Sequence, residues 1–374
     1  MRYFLSAGEA SGDLHAAALI DALKSVDGGA RFSFLGGDRM SAAAGCKPLV
    51  HIRDMAYMGF SEVLRHLPDI RANLRVAIDA VRSSVERPDA VILIDYPSFN
   101  LKIAREAHRL GIPVFYYIPP KVWAWKEWRV RSIRRYCTEV FCILPFEKQF
   151  YEKHGMNVTY VGNPSVEEVD AALPQLVPVI TDMPMLALVP GSRIGEIRNN
   201  LPVMTAVASM FAGSLTPVIA GAPGIPLGLY ESIAPDAPVY YDSSLELMSS
   251  ACAALVTSGT ATLECALVGT PQVACYRANG SHLSYNIMRT ILSIPYVTLP
   301  NLIMGEEIIP EMLLHMCTPE RVAAELAEIM PGTAGRDAME RGYALMRTRL
   351  GNATPALTTA RAIVSRITAD YLGC

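Results

Sequence analysis

The chain has 374 residues, enough for two domains of ordinary size, each with its own core. Hydrophobic residues make up 51% and charged residues 18%, which excludes a disordered or coiled-coil chain. The formal charge is −3, from 33 Lys+Arg against 36 Asp+Glu, so the whole-chain field recruits neither nucleic acid nor an anionic bilayer, and only a local basic patch stays open.

A strand is predicted over 2–7, a turn over Gly8-Glu9-Ala10-Ser11-Gly12-Asp13 and a helix over 15–25. The opening is too short for a signal peptide, so the expected location is cytoplasmic. A second strand covers 31–35, before Gly36-Gly37. Leu74, Ile78 and Val81 recur at helical spacing, with Arg71, Arg75 and Arg82 off that stripe. The run 90–94 is wholly apolar, as in a parallel strand covered on both faces. A helix over 100–110, strands over 114–118 and 140–144, a helix over 146–153 and a strand over 159–161 follow. Pro164, Pro174, Pro178 and Pro184 then mark an interdomain linker.

The alternation restarts with a strand over 185–189, a turn at Gly191-Ser192-Arg193 and a helix from about 196 to 210. Residues 201–230 carry no charge and are long enough to span a bilayer, but Pro202, Pro217, Pro223 and Pro226 break them. They read as a buried helix, a central strand over 215–220 and a turn-rich loop. Strands over 239–241 and 253–257, a helix from Ser258-Gly259-Thr260 to Val268 and a strand over 272–276 come next, then helices over 320–330 and 355–371. Two halves with the same plan indicate two doubly wound α/β domains facing each other, with ligands beyond the carboxyl ends of the strands.

Several chemistries lack their signature. There is no Gly-x-x-x-x-Gly-Lys-Ser/Thr loop, no Gly-x-Gly-x-x-Gly, no His-Glu-x-x-His and no Gly-x-Ser-x-Gly. No Asp-x-Asp pair is present to build a nucleotide–Mg²⁺ site, so neither a metal nor a cofactor is expected. The eight cysteines form no Cys-x-x-Cys pair and read as reduced core thiols; the seven histidines are scattered and none is assigned a catalytic role.

Four turns carry candidate chemistry. Ser258, Gly259, Thr260 and Thr262 open a helix after an apolar strand, where free N–H groups and the dipole suit a diphosphate. Glu264, a turn further on, is placed to accept sugar hydroxyls; the same residues also read as an ordinary helix cap. Ser192 and Arg193 follow another apolar strand, with Arg193 either neutralising a diphosphate or standing solvated at a loop tip. Gly8, Glu9, Ser11 and Gly12 put a carboxylate between small residues, letting a sugar approach the backbone, or simply turn the chain with Ser11 or Asp13 as cap. Asp95 ends the 90–94 strand, where burial would raise its pKa and suit a general base, or where it caps the turn before Pro97.

Two segments suggest surfaces. Residues 119–128 hold Trp123, Trp125 and Trp128, followed by Arg129, Arg131, Arg134 and Arg135: an aromatic wall with a basic rim, or a buried loop before a wet helix. Met58, Phe60, Val63, Leu64 and Leu67 form an apolar stripe among arginines, the segment best suited to an anionic membrane surface, or to a core. Mean hydropathy of +0.25 is high enough to invite that search.

Taken in order, these segments resemble the lipid-A-disaccharide synthases. The resemblance is carried by Ser6-Ala7-Gly8-Glu9-Ala10-Ser11-Gly12-Asp13, Ile94-Asp95 with Phe99-Asn100, and Val122-Trp123-Ala124-Trp125. Leu144-Pro145-Phe146-Glu147-Lys148, Pro190-Gly191-Ser192-Arg193, Ser258 through Glu264 and Pro300-Asn301-Leu302 extend it over nearly the whole chain. Two departures stand out: Gly162-Asn163-Pro164 replaces the usual Gly-His-Pro, and Pro119-Pro120-Lys121 replaces a small polar residue before Val-Trp-Ala-Trp.

The resemblance implies a GT-B glycosyltransferase. An acceptor and membrane-side domain would cover 1–165, with a helix from about 352–374 packed back on it, and a UDP-sugar domain would cover 166–351. It implies transfer of 2,3-diacylglucosamine from its UDP derivative to 2,3-diacylglucosamine 1-phosphate with inversion, giving the β-1,6 disaccharide 1-phosphate and UDP. Such an enzyme works peripherally on the cytoplasmic face of the inner membrane; a homodimer is left open. Asp95, with Glu9 as alternative, would be the base. Arg193, Ser192 and the Ser258-Gly259-Thr260 amides would hold the diphosphate, with Thr262, Glu264 and Asn301 also at the donor. Gly8, Ser11, Gly12, Asn100 and Trp123 would line the acceptor side. A UDP-sugar 2-epimerase-like GT-B enzyme is the alternative; an NAD-linked oxidoreductase lacks its glycine fingerprint, and a non-catalytic nucleotide-binding module would turn nothing over.

Overall fold

The structure, a computed structural model, describes residues 1–55, 66–277, 294–352 and 354–372. The chain divides into two compact units: Met1–Pro164 together with the C-terminal segment from Asn352, and Ser165–Gly351.

The first unit alternates β1 (Arg2–Ala7), α1 (Ala10–Val26), β2 (Arg31–Gly36), α2 (Asp38–Ala44), β3 (Val50–His51), α3 (Leu67–Arg82) and β4 (Ala90–Ile94). It continues through α4 (Pro97–Arg109), β5 (Val114–Tyr117), α5 (Val130–Tyr136), β6 (Glu139–Cys142), α6 (Pro145–Lys153) and β7 (Thr159–Tyr160). The strands form one parallel sheet in the order β3-β2-β1-β4-β5-β6-β7. All five residues of β4 are buried, as its apolar run requires when helices cover both faces. Each fully buried Val, Leu or Ile there contributes roughly 1.5–3 kcal/mol.

α7 (Pro164–Ala172) leads into the second unit. That unit runs β8 (Met185–Val189), α8 (Ile194–Met210), β9 (Thr216–Ala220), α9 (Leu227–Glu231), β10 (Val239–Tyr240), α10 (Ser244–Ser250), β11 (Ala253–Thr257) and α11 (Thr260–Val268). β12 (Gln272–Tyr276), α12 (Leu299–Met304), β13 (Glu311–Leu313), α13 (Pro319–Glu328) and α14 (Ala334–Leu350) complete it. Its sheet is also parallel, in the order β10-β9-β8-β11-β12-β13. α15 (Pro355–Leu372) returns to the first unit, where Ala360, Ile363 and Ile367 share a core with Ala16, Leu19 and Ile20 of α1.

In each sheet the strand order reverses once, between β1 and β4 and between β8 and β11. Loops leaving such a pair diverge, because one chain continues to one face and its neighbour to the other, and a crevice opens beyond their carboxyl ends. Gly8-Glu9 and Asp95-Tyr96 sit at the first reversal; Gly191-Ser192-Arg193 and Ser258-Gly259 sit at the second.

Local readings shift in several places. α1 starts at Ala10, so Ser11, Gly12 and Asp13 are helical rather than a turn. α4 starts at Pro97, whose fixed φ and missing N–H suit a first helical position. The expected linker contains α7, for the same reason at Pro164. The strand over 216–220 is second from the edge rather than central. The expected membrane stripe Met58, Phe60, Val63 and Leu64 lies outside the described residues, and Leu67 opens α3 half-buried. Among the described residues no helix is long and apolar enough to cross a membrane.

Candidate active site

The second unit holds a cavity of about 610 Å³ at its strand-order reversal. Its walls include Ser192, Arg193, Glu196, Ser258, Gly259, Thr260 and Glu264, so most of the predicted donor residues converge there. Gly259 caps α11 with φ 152°, where an L side chain is strained. Nothing lies within 4 Å of the place its Cβ would take, so the helix start is open to a ligand. At the start of α11 the Thr262 amide donates to Gly259 O at 3.2 Å, while the amides before it precede the first i−4 carbonyl of the helix, and the dipole adds positive potential. Arg193 is exposed and ion-paired with Glu196 at 3.2 Å. Burial pushes the Glu264 carboxyl up, and the charge of Glu168 adds to that.

Two expected donor residues do not reach the cavity. Thr262 is buried, and its hydroxyl donates to the Gly259 carbonyl at 2.8 Å inside its own helix. Asn301 is fully buried; its Oδ1 accepts from the Ile308 and Ile309 amides, and its Nδ2 donates to Ile309 O and Glu311 Oε1. It folds the 305–311 loop onto α12. Conversely, Gly221, Ala222 and Pro223 after β9 and Tyr241 through Ser244 after β10 line the cavity without having been expected there. The signal was available, since small and hydroxyl residues follow each of those strands.

In the first unit, Glu9, Ser11 and Asp95 are exposed near the β1/β4 reversal. The protein around Asp95 nevertheless removes enough water to push its carboxyl up, and the charge of Glu9 pushes it further; Lys121 and the Tyr96 amide act the other way. Asp95, Tyr96 and Ile118 all have positive φ, at 43°, 46° and 58°. For a β-branched residue such as Ile118 this is a rare conformation, of the kind that gathers at functional sites. The surroundings hold it: the Asp95 amide donates to Ile118 O at 3.1 Å, while Asn100 Nδ2 and Tyr116 Oη donate to Asp95 O at 2.8 and 2.6 Å.

Asn100 therefore does not line an open acceptor surface. It is fully buried, and its remaining contacts reach Ser6 and the Ile94 carbonyl. Gly8 and Gly12 serve internal packing instead of a sugar's approach. A Cβ on Gly8 would lie 2.4 Å from the Tyr96 ring, and one on Gly12 would lie 3.3 Å from Ala7 Cβ. Asp13 caps another helix than its own: its carboxylate accepts the amides of Gly37, Arg39 and Met40 at the start of α2.

The tryptophan loop divides. Trp123 is only 8% exposed, and its Nε1–H donates to buried Glu147 at 3.0 Å, so it is no part of an exposed wall. Glu147 also accepts the Ile143 and Leu144 amides, yet burial pushes its pKa to about 7. Trp125 and Trp128 are 48% and 64% exposed, with Lys126 and Arg129 over their rings. Asn163, in the place of the usual histidine, donates to Ile143 O at 3.1 Å.

Comparison with known proteins adds four findings. A family model described as lipid-A-disaccharide synthetase matches residues 3–353. The lipid-A-disaccharide synthase of Myxococcus xanthus is 38% identical over 375 residues, covering 97% of this chain and 97% of the relative. Among solved structures, the glycosyltransferase of kitacinnamycin has a TM-score of 0.64 at 14% identity, covering 98% of this chain and 99% of its own. The UDP-GlcNAc 2-epimerase of Neisseria meningitidis, bound to UDP-GlcNAc, has a TM-score of 0.62 at 12% identity, covering 99% and 100%. At such identities these two structures bear on the fold alone.

Proposed function

Because the chain belongs to the lipid-A-disaccharide synthetase family, we propose that it transfers 2,3-diacylglucosamine from UDP to 2,3-diacylglucosamine 1-phosphate, making a β-1,6 disaccharide 1-phosphate and UDP. The observation that carries the site is the cavity of the second unit, where Arg193 and the start of α11 meet at a strand-order reversal.

The proposed step is a single in-line displacement. Asp95 takes the proton of the acceptor 6-hydroxyl, with Glu9 as the alternative base. A carboxyl raised by desolvation is a better proton acceptor than an ordinary Asp. One displacement at the anomeric carbon turns an α-linked donor into a β-linked product. Charge develops on the departing UDP. Arg193 and the Ser258-Gly259-Thr260 amides are positioned to stabilise it electrostatically, while Glu264 holds sugar hydroxyls.

The acyl chains give the reading its membrane component. Each buried CH₂ is worth roughly 0.8 kcal/mol, so an acylated substrate is best collected from a bilayer. We assign that contact to Met58, Phe60, Val63, Leu64 and Leu67, on the cytoplasmic face of the inner membrane. Phe60→Glu with Leu64→Glu is expected to reduce flotation with anionic vesicles, and unchanged flotation rejects the patch. A homodimer is tested by light scattering.

Mass spectrometry of products from the acylated donor and acceptor tests the activity. Disaccharide 1-phosphate only when both are present is the expected result. A 2-epimer formed from the UDP-sugar alone would replace this reading with the epimerase.

A further inference from the structure

A side chain of the cavity itself already takes the place of an anion. Glu196 Oε2 accepts the Ser192 backbone N–H at 3.1 Å, and Glu196 Oε1 accepts Arg193 Nη1 at 3.2 Å. Arg193 is the N-cap of α8, so a reciprocal cap from Glu196 would return to the amide of Arg193. Glu196 instead reaches one residue further, into the turn outside the helix. The turn is shaped around it: a Cβ on Gly191 would lie 2.6 Å from Glu196 Oε2, and Gly191 has φ 116°. The carboxylate lines the same cavity as the start of α11. An anion-binding wall thus carries a fixed negative group on its own donors, and an incoming diphosphate both competes with it and is repelled by it.

We propose that Glu196 is an internal stand-in for the nucleotide's phosphate. It keeps the 191–193 turn in binding shape while the cavity is empty. The arriving diphosphate displaces it from the Ser192 amide and Arg193, and its return eases UDP out. This rests on the reading that the cavity holds the diphosphate.

The test measures UDP binding by calorimetry and UDP release by stopped flow, at low and high salt, for the full chain and for Glu196→Gln, Glu196→Ala and Arg193→Ala. Gln keeps the shape and one acceptor oxygen but removes the charge. Glu196→Gln is expected to bind UDP about threefold or more tighter and release it more slowly, with the gain shrinking as salt screens the charge. Glu196→Ala should show the same sign with a smaller gain, so the outcome does not depend on one variant folding. Equal or weaker binding in the Glu196 variants, with Arg193→Ala weakened, overturns the stand-in and leaves the cavity assignment intact. Arg193→Ala binding UDP as the parent does overturns both.

Discussion

Asn200 Nδ2 lies 2.9 Å from Thr257 Oγ1, a buried hydrogen bond that ties α8 to the end of β11. The same amide donates to Pro190 O at 3.2 Å, and its Oδ1 accepts the Arg277 amide at 2.7 Å. One side chain thereby gathers the ends of β8, β11 and β12, and the first two of these carry the turns that flank the cavity. Asn100 performs a like task in the first unit, joining Ser6 of β1 to Ile94 and Asp95 at the end of β4. The two asparagines sit on non-equivalent helices, one after the first strand of its sheet and one after the fourth. A shared need, to hold two diverging strand ends together, accounts for both.

Replacing Asn200 by Leu strands a hydroxyl, a carbonyl and an amide in the interior. The cost is about 2–3 kcal/mol of stability. We expect a lower thermal midpoint together with a raised donor KM and an acceptor KM close to the parent's. Equal changes in both KM values would count against a role specific to the donor turns.

Asp95→Asn is expected to lower kcat by about 10²–10⁴-fold while leaving UDP affinity unchanged. The base must be ionised, so activity falls as pH drops through the raised pKa of Asp95, an acid limb lying above that of an ordinary Asp. Glu9 contributes to that rise, so Glu9→Gln should move the limb to lower pH. A Glu9→Gln enzyme that loses turnover altogether transfers the role of base to Glu9.

Glu147 links stability to pH. Its folded pKa of about 7 lies above the usual 4.5, so the folded state binds the proton more tightly than the unfolded state. Its contribution is fully present below about 4.5 and is lost as pH rises through about 7. A tenfold difference in proton affinity is worth about 1.4 kcal/mol, which makes the loss on the order of 3 kcal/mol. Chemical denaturation between these limits should show the parent losing stability relative to Glu147→Gln as pH rises; parallel curves would refute the linkage.

Asp13→Ala removes the acceptor for three amides at the start of α2. We expect about 2–4 kcal/mol of destabilisation, as for a buried charge-assisted cap, read from urea unfolding. UDP binding by the folded fraction should not change. A lost affinity would place Asp13 in the site rather than beneath it.

The strands at the heart of both sheets were legible residue by residue. The runs 90–94 and 185–189 are apolar without a break and 253–257 is apolar up to Thr257, and they lead into Asp, Pro-Gly and Ser-Gly. The edge strands were legible only in part: β7 and β10 were read within a residue, but β3, with two residues, and β13, with three, were not. α14 was missed although Met339, Tyr343, Met346 and Leu350 are spaced as a buried helical stripe, because its many charges masked the pattern.

Side-chain destinations follow a different logic. Asn100, Trp123, Thr262 and Asn301 all looked like ligand-facing groups in their motifs, and all point inward to bonds of their own. Asp13 reaches the amides of Gly37 and Met40, and Tyr241 through Ser244 enter the cavity from a strand well before α11. Periodicity and turn chemistry are local, so a single segment encodes where a strand ends and which groups its loop offers. Whether a polar group meets solvent or a buried partner depends on residues dozens of positions away, and only the packed chain brings those together.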